Sequence, residues 1–353
     1  MEIKRELLVG ELSSFRKAAL PFIAACGGML FPVLVYSFVC APGAPGGQGL
    51  AIPMATDIAF SLGVLSLLGK RVPLSLKIFL TAFAVVDDIG GILVIAVFYS
   101  SHVAYGYLLV AILLLILLYF VGKRAVTNKL FFLVIGVVIW YLFLQSGIHS
   151  TIAGVLLAFV IPAKPQLRVG RYIERIRRII NTFPVMGEND IVLTNEQIAQ
   201  LKRVESASDR VISPLQSLED NLHGVVNYII LPLFAFVNAG VVFSGGGEVI
   251  GEVSIAVALG LLCGKFLGIY FFTWLAVKSK LTPMPQGMDW KNIAGVALLG
   301  GIGFTVSLFI ANLSFGVTHP VLLNQAKFGV LSGTALAGIL GYIVLYLVLP
   351  KKR

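Results

Sequence analysis

The sequence predicts an all-α polytopic membrane protein with inverted-topology repeats and two broken, crossing transmembrane helices. Three observations predict it. The 353 residues are 58% hydrophobic and only 12% charged, with a mean hydropathy of +0.94. A soluble domain carries about a quarter charged residues, so most side chains here face lipid or each other. Apolar stretches recur along the chain, separated by loops that alternate between rich in and poor in Lys and Arg. Two of the stretches are interrupted by helix-breaking residues at corresponding places.

Ten candidate spans follow in order: Leu20–Cys40, Pro53–Leu68, Ile78–Tyr99, Val103–Val121, Leu130–Leu144, Ile148–Ile161, Val225–Phe243, Ser254–Ala276, Ile293–Ile310 and Phe328–Leu349. A straight helix needs about 20 apolar residues to cross. Pro53–Leu68 and Ile148–Ile161 are short and must borrow flanking residues.

The basic residues mark one side. Lys4, Arg5, Arg16 and Lys17 precede the first span, Lys70, Arg71 and Lys77 follow the second, and Lys123, Arg124 and Lys129 follow the fourth. Lys278, Lys280 and Lys291 follow the eighth, and Lys351, Lys352 and Arg353 end the chain. The alternate loops hold no Lys or Arg, although Lys327 borders the last span on that side. This bias places both termini in the cytoplasm, and an even number of spans agrees. It also accounts for the net charge of +10 without nucleic acid as a partner. Cys26, Cys40 and Cys263 lie in or beside apolar stretches and show no disulfide or metal spacing.

Four regions result. Residues 1–19 are a cytoplasmic tail. Residues 20–161 hold six spans, including a first repeat at 20–99. Residues 162–222 form a polar cytoplasmic loop, and residues 223–353 hold four spans, including a second repeat at 254–349. Within the loop, Arg168, Arg171, Arg175 and Arg178 recur at helical spacing, with Ile173, Ile176 and Ile180 on another face. That pattern suits a helix on an anionic membrane surface as well as a solvated charged loop. Thr194 and Gln197 have the spacing of a capping box, and Ile198, Leu201 and Val204 suggest a second amphipathic helix.

Spans one to three and eight to ten run in opposite senses, and the middle member of each triplet is interrupted. The second span begins Ile52-Pro53-Met54-Ala55-Thr56-Asp57, and the ninth carries Gly300, Gly301, Gly303 and Thr305 at its centre. Proline, glycine, threonine and a charge are the residues expected where helical hydrogen bonding is broken. Paired broken helices in inverted halves point to a secondary transporter with its site near the midplane.

Four ionisable residues lie well inside spans: Asp57, Asp87, Asp88 and Lys265. Each costs about 2.5–3.5 kcal/mol at a helix centre on insertion scales, and ion or proton movement is the use that would retain them. Lys265 can neutralise one acid but not three. Neighbouring helical residues point about 100° apart, so Asp87 and Asp88 face different surroundings. Asp57 lies in the suspected break, where it either offsets the positive ends of broken helices or binds an ion directly. Thr56 is either a hydroxyl ligand or a cap for its own helix. A small hard cation such as Na⁺ or Li⁺ takes oxygen ligands, and the same carboxylates bind protons, so one site exchanges the two by competition. His149 titrates near neutrality in principle, but an interfacial polar residue is the simpler reading.

The stretch from Ala51 to Tyr99, AIPMATDIAFSLGVLSLLGKRVPLSLKIFLTAFAVVDDIGGILVIAVFY, resembles the hallmark of the NhaA family of Na⁺/H⁺ antiporters. GIHSTIAG, LPLFAFVNAG, CGKFLG and GGIGFTVSLFIANLSFG resemble later family motifs in the same order. Inverted repeats with broken helices are a property for which this family is a standing example, so the two readings overlap. The resemblance implies a pH-dependent transporter, not an enzyme, that works by alternating access in the bacterial inner membrane. It implies lipid as surroundings, Na⁺ or Li⁺ and H⁺ as cargo and no cofactor, and it allows a homodimer. Asp87 and Asp88 would be the essential acid pair and Na⁺ ligands, Asp57 and Thr56 the polar residues of the first broken helix, and Lys265 the partner of Asp87. Glu2, Glu219 and His149 fall where the family places pH-responsive groups. The EIKREL stretch matches the cytoplasmic end of the family's second helix, so two helices are expected upstream of it. The 162–222 loop exceeds that of the best-studied members.

Three rivals stand beside this reading, the third a passive channel, against which the paired breaks argue for alternating access. An intramembrane aspartyl protease also buries acids, but it needs two carboxylates sharing a proton, usually brought from separate helices, and no GxGD sequence precedes Asp87 or Asp88. A Na⁺-coupled organic-anion transporter of the same architecture should not need a buried lysine beside an acid pair.

Overall fold

Inside hydrocarbon, backbone groups must be satisfied within their own segment, and helix is the only regular secondary structure among the described residues. The computed structural model describes the chain apart from residues 42, 100–102, 125–128, 166, 184–192, 242–248, 286, 317 and 351–353. Its α-helices are α1 Glu2–Leu8, α2 Phe15–Val39, α3 Ile58–Ser66, α4 Leu74–Phe98, α5 Tyr105–Lys123, α6 Lys129–Ser146, α7 Thr151–Val160 and α8 Val169–Asn181. They continue with α9 Asn195–Val211, α10 Pro214–Val225, α11 Leu231–Asn238, α12 Glu252–Leu259, α13 Lys265–Lys278, α14 Trp290–Leu299, α15 Phe304–Phe315 and α16 Pro320–Val348.

Seven helices are long and apolar enough to cross a bilayer, and two bent pairs raise the number to nine among the described residues. The bent pairs are the expected broken spans: Pro45–Met54 with α3 at 47°, and α14 with α15 at 45°. The sixth expected span holds only α7, an apolar helix of 10 residues. Three expected boundaries move most, the first being the start of the second span, at Pro45 and not at Pro53. The seventh span begins at Pro214 and not at Val225, because α10 runs through a π-turn at Val226–Ile230 into α11. Pro232 explains the turn: its ring clashes with the carbonyl four residues back and it donates no N–H, and a wide turn relieves both. The expected end at Phe243 lies outside the described residues. The last span begins at Pro320 and not at Phe328, with proline in the first turn, where its missing N–H costs nothing. Lys327 is therefore inside α16, and its Nζ donates to the Gly240 carbonyl at 3.3 Å.

The chain divides into two compact units. One comprises Glu2–Ser101 and Asn227–Arg353 and contains both broken spans. Its most extensive helix contact is α2 against α13. Gly260, Gly264 and Gly268 recur every fourth residue, the small-residue spacing that lets membrane helices touch backbone to backbone. A Cβ on Gly268 would meet the Gly27 carbonyl, one on Gly264 would lie 2.6 Å from Pro32 Cα, and one on Gly260 would lie 2.7 Å from Pro53. A second π-turn, Gly260–Gly264, fills the gap between α12 and α13 and ends directly before Lys265.

The other unit comprises Met1 and His102–Val226. Its core gathers Leu115 and Leu118 of α5, Phe132, Ile139 and Phe143 of α6, Ala153 of α7 and Leu215 of α10. The helices expected in the 162–222 segment are present. Thr194 and Gln197 form the capping box that starts α9. α8 and α9 lie antiparallel: the Leu167 N–H donates to the Arg210 carbonyl at 2.9 Å, and the Tyr172 and Ser208 hydroxyls are 2.9 Å apart.

Filling the glycine contact should unseat α13. Gly268→Val is expected to cost about 1–3 kcal/mol of stability, read as a lowered unfolding temperature of detergent-purified protein. Gly154→Ala, where nothing lies within 4 Å of the added Cβ, should leave that temperature unchanged.

Candidate ion-binding site

The two broken spans meet inside the larger unit, and each satisfies backbone groups that the other's break sets free. On the side of the helix C-termini, the Thr56 hydroxyl donates to the Gly300 carbonyl at 2.8 Å and Ser61 donates to the Leu299 carbonyl at 3.0 Å. The Asp57 N–H donates to the Ile302 carbonyl at 2.6 Å. In the reverse direction, the Ser307 hydroxyl donates to the Ile52 carbonyl at 2.7 Å.

On the side of the N-termini, one carboxylate serves two helices. Asp57 caps α3 by accepting from the Phe60 N–H at 3.1 Å on Oδ1. Its Oδ2 accepts from the Thr305 N–H at 3.0 Å and from the Thr305 hydroxyl at the start of α15. Asp57 is 3% exposed, so this charge sits where two positive helix ends converge. Both Asp57 oxygens are thus engaged at helix N-termini. Thr56 likewise spends its proton on a backbone carbonyl of the other broken helix.

The glycines of the ninth span are there for approach. A Cβ on Gly301 would meet the Leu261 carbonyl of the π-turn, one on Gly300 would lie 2.9 Å from Phe83, and one on Gly303 would lie 2.9 Å from the Ala55 carbonyl.

The acid pair lies midway along α4. Lys265 Nζ donates to Asp87 Oδ2 at 2.6 Å, and both side chains are fully buried. Asp87 Oδ1 is buried without a hydrogen bond, and Thr56 adjoins this carboxylate. Asp88, half-buried, has no hydrogen bond or ion pair among the described residues. The adjacent acids therefore differ: one is held by a lysine and the other is open.

The residues expected to respond to pH each have their own local contacts. Glu2 begins α1 and faces Arg5 at 3.6 Å in a half-exposed pair, a type worth little energetically. His149 sits in the turn before α7, where its Nδ1 lies 3.0 Å from the Thr151 hydroxyl and accepts from the Thr151 N–H at 3.4 Å. Glu219 lies on α10 with a buried carboxylate oxygen. His149 and Glu219 belong to the smaller unit.

Sequence reasoning passed over Ser61, Ser307 and the pairing of Thr305 with Asp57. The signal was available: a hydroxyl residue within a turn or two of a break is a ready donor for freed carbonyls. The Gly260–Gly264–Gly268 stripe ahead of Lys265 was equally visible.

The family model of Na⁺/H⁺ antiporter 1 matches residues 1–345. A Bacteroides fragilis protein named Na⁺/H⁺ antiporter NhaA is 85% identical over 353 residues, covering all of this chain and 81% of that protein. A Bacteroides thetaiotaomicron protein of the same name is 81% identical over all of this chain and 80% of its own length. One from Porphyromonas gingivalis is 48% identical, covering 98% of this chain and 77% of its own.

Lys265→Ala and Asp87→Ala should each lower thermal stability, because each leaves a buried charge alone at a cost of about 3–5 kcal/mol. The double variant should recover about 1–3 kcal/mol relative to the sum of the singles. Additive losses in that unfolding cycle would separate the two groups energetically.

Proposed function

Because the chain belongs to the Na⁺/H⁺ antiporter 1 family, we propose that it exchanges Na⁺ or Li⁺ for H⁺ at the acid pair of α4. The observation that carries this assignment is the inequality of the two acids: Asp87 held by Lys265, Asp88 open beside it. An open carboxylate binds a proton or offers oxygen to a hard cation. When a cation binds, the second acid completes its charge by leaving Lys265. Protons and the cation thus compete for one set of oxygens, and the exchange needs no cofactor.

Asp57 holds the crossing in shape and offsets two helix ends, and Thr56 with Thr305 fixes that geometry; none of the three has to touch the cargo. Lys265 holds Asp87 while no cation is bound. The two acids are neighbours on one helix, whereas a protease dyad usually draws them from two, and the buried lysine has no task in an organic-anion symporter. Gly300, Gly301 and Gly303 allow the close approach on which the break depends.

The Lys- and Arg-rich ends of the spans face the cytoplasm, both termini included, and the membrane is the bacterial inner membrane. Residues 20–99 and 254–349 act as the inverted repeats, moving against their surroundings to alternate access. Glu2, Glu219 and His149 adjust the rate with pH and stand outside the exchange itself.

In proteoliposomes, Asp88→Asn should abolish Na⁺-induced proton flux, since it removes both a ligand charge and a titrating group; robust flux by that variant would remove this assignment. For the unaltered chain, apparent Na⁺ affinity should weaken as pH falls, by about tenfold per unit for each competing proton once the coupled acids titrate. An affinity flat with pH on the acidic side would contradict competition.

A further inference from the structure

The antiparallel pair α8–α9 is joined to the membrane-crossing part of its unit by short connections. α7 ends at Val160 and α10 begins at Pro214, and the Leu215 N–H donates to the Pro162 carbonyl at 3.2 Å. The last apolar turn of α7 and the first turn of α10 are thereby pinned together, so the pair emerges where the chain leaves the hydrocarbon. Two residues separate α9 from α10, a reach of about 7 Å. α9 therefore stays within interfacial distance.

The exposed faces are oriented. On α8, Ile179 is buried and Tyr172 bonds toward α9, whereas Val169, Ile173 and Ile180 are 61%, 53% and 64% exposed. At 100° per residue, the exposed stripe lies about a quarter-turn from the packed one. On α9, Ala207 is buried and Ile198 and Leu201 are 37% and 44% exposed. They again lie about a quarter-turn from the packed stripe, in the same rotational sense along the chain. Because the helices run antiparallel, equal rotational offsets bring both exposed stripes to one side of the pair.

Charge selects what covers that side. Lys164, Arg168, Arg171, Arg175, Arg177 and Arg178 stand against a single acid, Glu174, between Pro162 and Phe183. None of the α8 arginines has an acidic partner among the described residues. Arg177 flanks the apolar stripe on one side, and Arg168 and Arg175 lie beyond the packed face on the other. A second copy of the chain would bring like charges together. An apolar stripe with Arg177 at its edge and unpaired arginines on the polar faces of the same helix, tethered at the edge of the hydrocarbon, fits an anionic lipid surface.

We propose that α8 and α9 form a lipid-charge-sensing hairpin that lies flat on anionic phospholipid, seating its one-sided apolar stripes in the headgroup layer. This does not depend on which ions the chain exchanges.

The test is hydrogen exchange of the full chain in nanodiscs of phosphatidylcholine alone and of phosphatidylcholine with about one-third phosphatidylglycerol. Amides of 169–181 and 195–211 should exchange more slowly in the anionic discs, with the difference shrinking in about 0.5 M salt as charges are screened. Replacing Arg171, Arg175 and Arg177 by Gln should weaken the seated state by about fivefold per arginine removed, and Ile173→Ser with Ile180→Ser should abolish seating with the charges intact. Equal exchange in both lipids would overturn the proposal. So would slowing that survives the triple arginine change, or slowing that follows the number of chains per disc, which would mark a second copy as the occupant.

Discussion

One carboxylate at the junction of two interrupted helices sets the terms for the rest of the larger unit. A break in hydrocarbon leaves N–H and C=O groups that lipid cannot satisfy, each costing several kcal/mol. Asp57 answers two of the N–H groups with one carboxylate, placed where two helix N-termini converge and water hardly reaches. Hydroxyls of Thr56, Ser61 and Ser307 answer the carbonyls. The breaks are therefore mutually dependent: neither span could be interrupted at this place unless the other were too.

The acid pair lies under a different constraint. A buried ion pair gains from its mutual attraction only about what it loses in desolvation. Asp87 and Lys265 are fully buried, yet one oxygen of Asp87 is left without a hydrogen bond. Such a pair is expensive to strip of one partner but not deeply stabilised as a whole. That balance suits the proposed release of the lysine when a cation arrives.

Much of this was legible beforehand. The apolar spans follow from bulk hydropathy, and both breaks were marked by Pro53 and by the glycines around Gly301. The partnership of Lys265 with Asp87 came from family resemblance, because no local pattern links residues so far apart. Asp57 and Thr305 are 248 positions apart, and nothing in either neighbourhood names the other. The early start of α10 was hidden because Glu219, Asp220 and His223 make its sequence look like loop, although the helix continues unbroken through them. The start of α16 was hidden by the same habit of equating a span with its apolar letters. Residues such as Lys327 belong to the helix without belonging to the apolar window.

The π-turn at Gly260–Gly264 holds one residue more than an α-turn would need. It acts as a small store of slack on the screw of the eighth crossing. Taking that residue up, or passing it along, changes the azimuth of everything beyond it by about 100°. Lys265 is the first side chain past the store. The lysine that holds Asp87 thus stands at the point in its crossing where a change of phase needs neither a longer span nor the melting of α13. The glycines that permit the wide turn are also those that bring α2 against it, so the bearing surface and the slack occupy the same few residues.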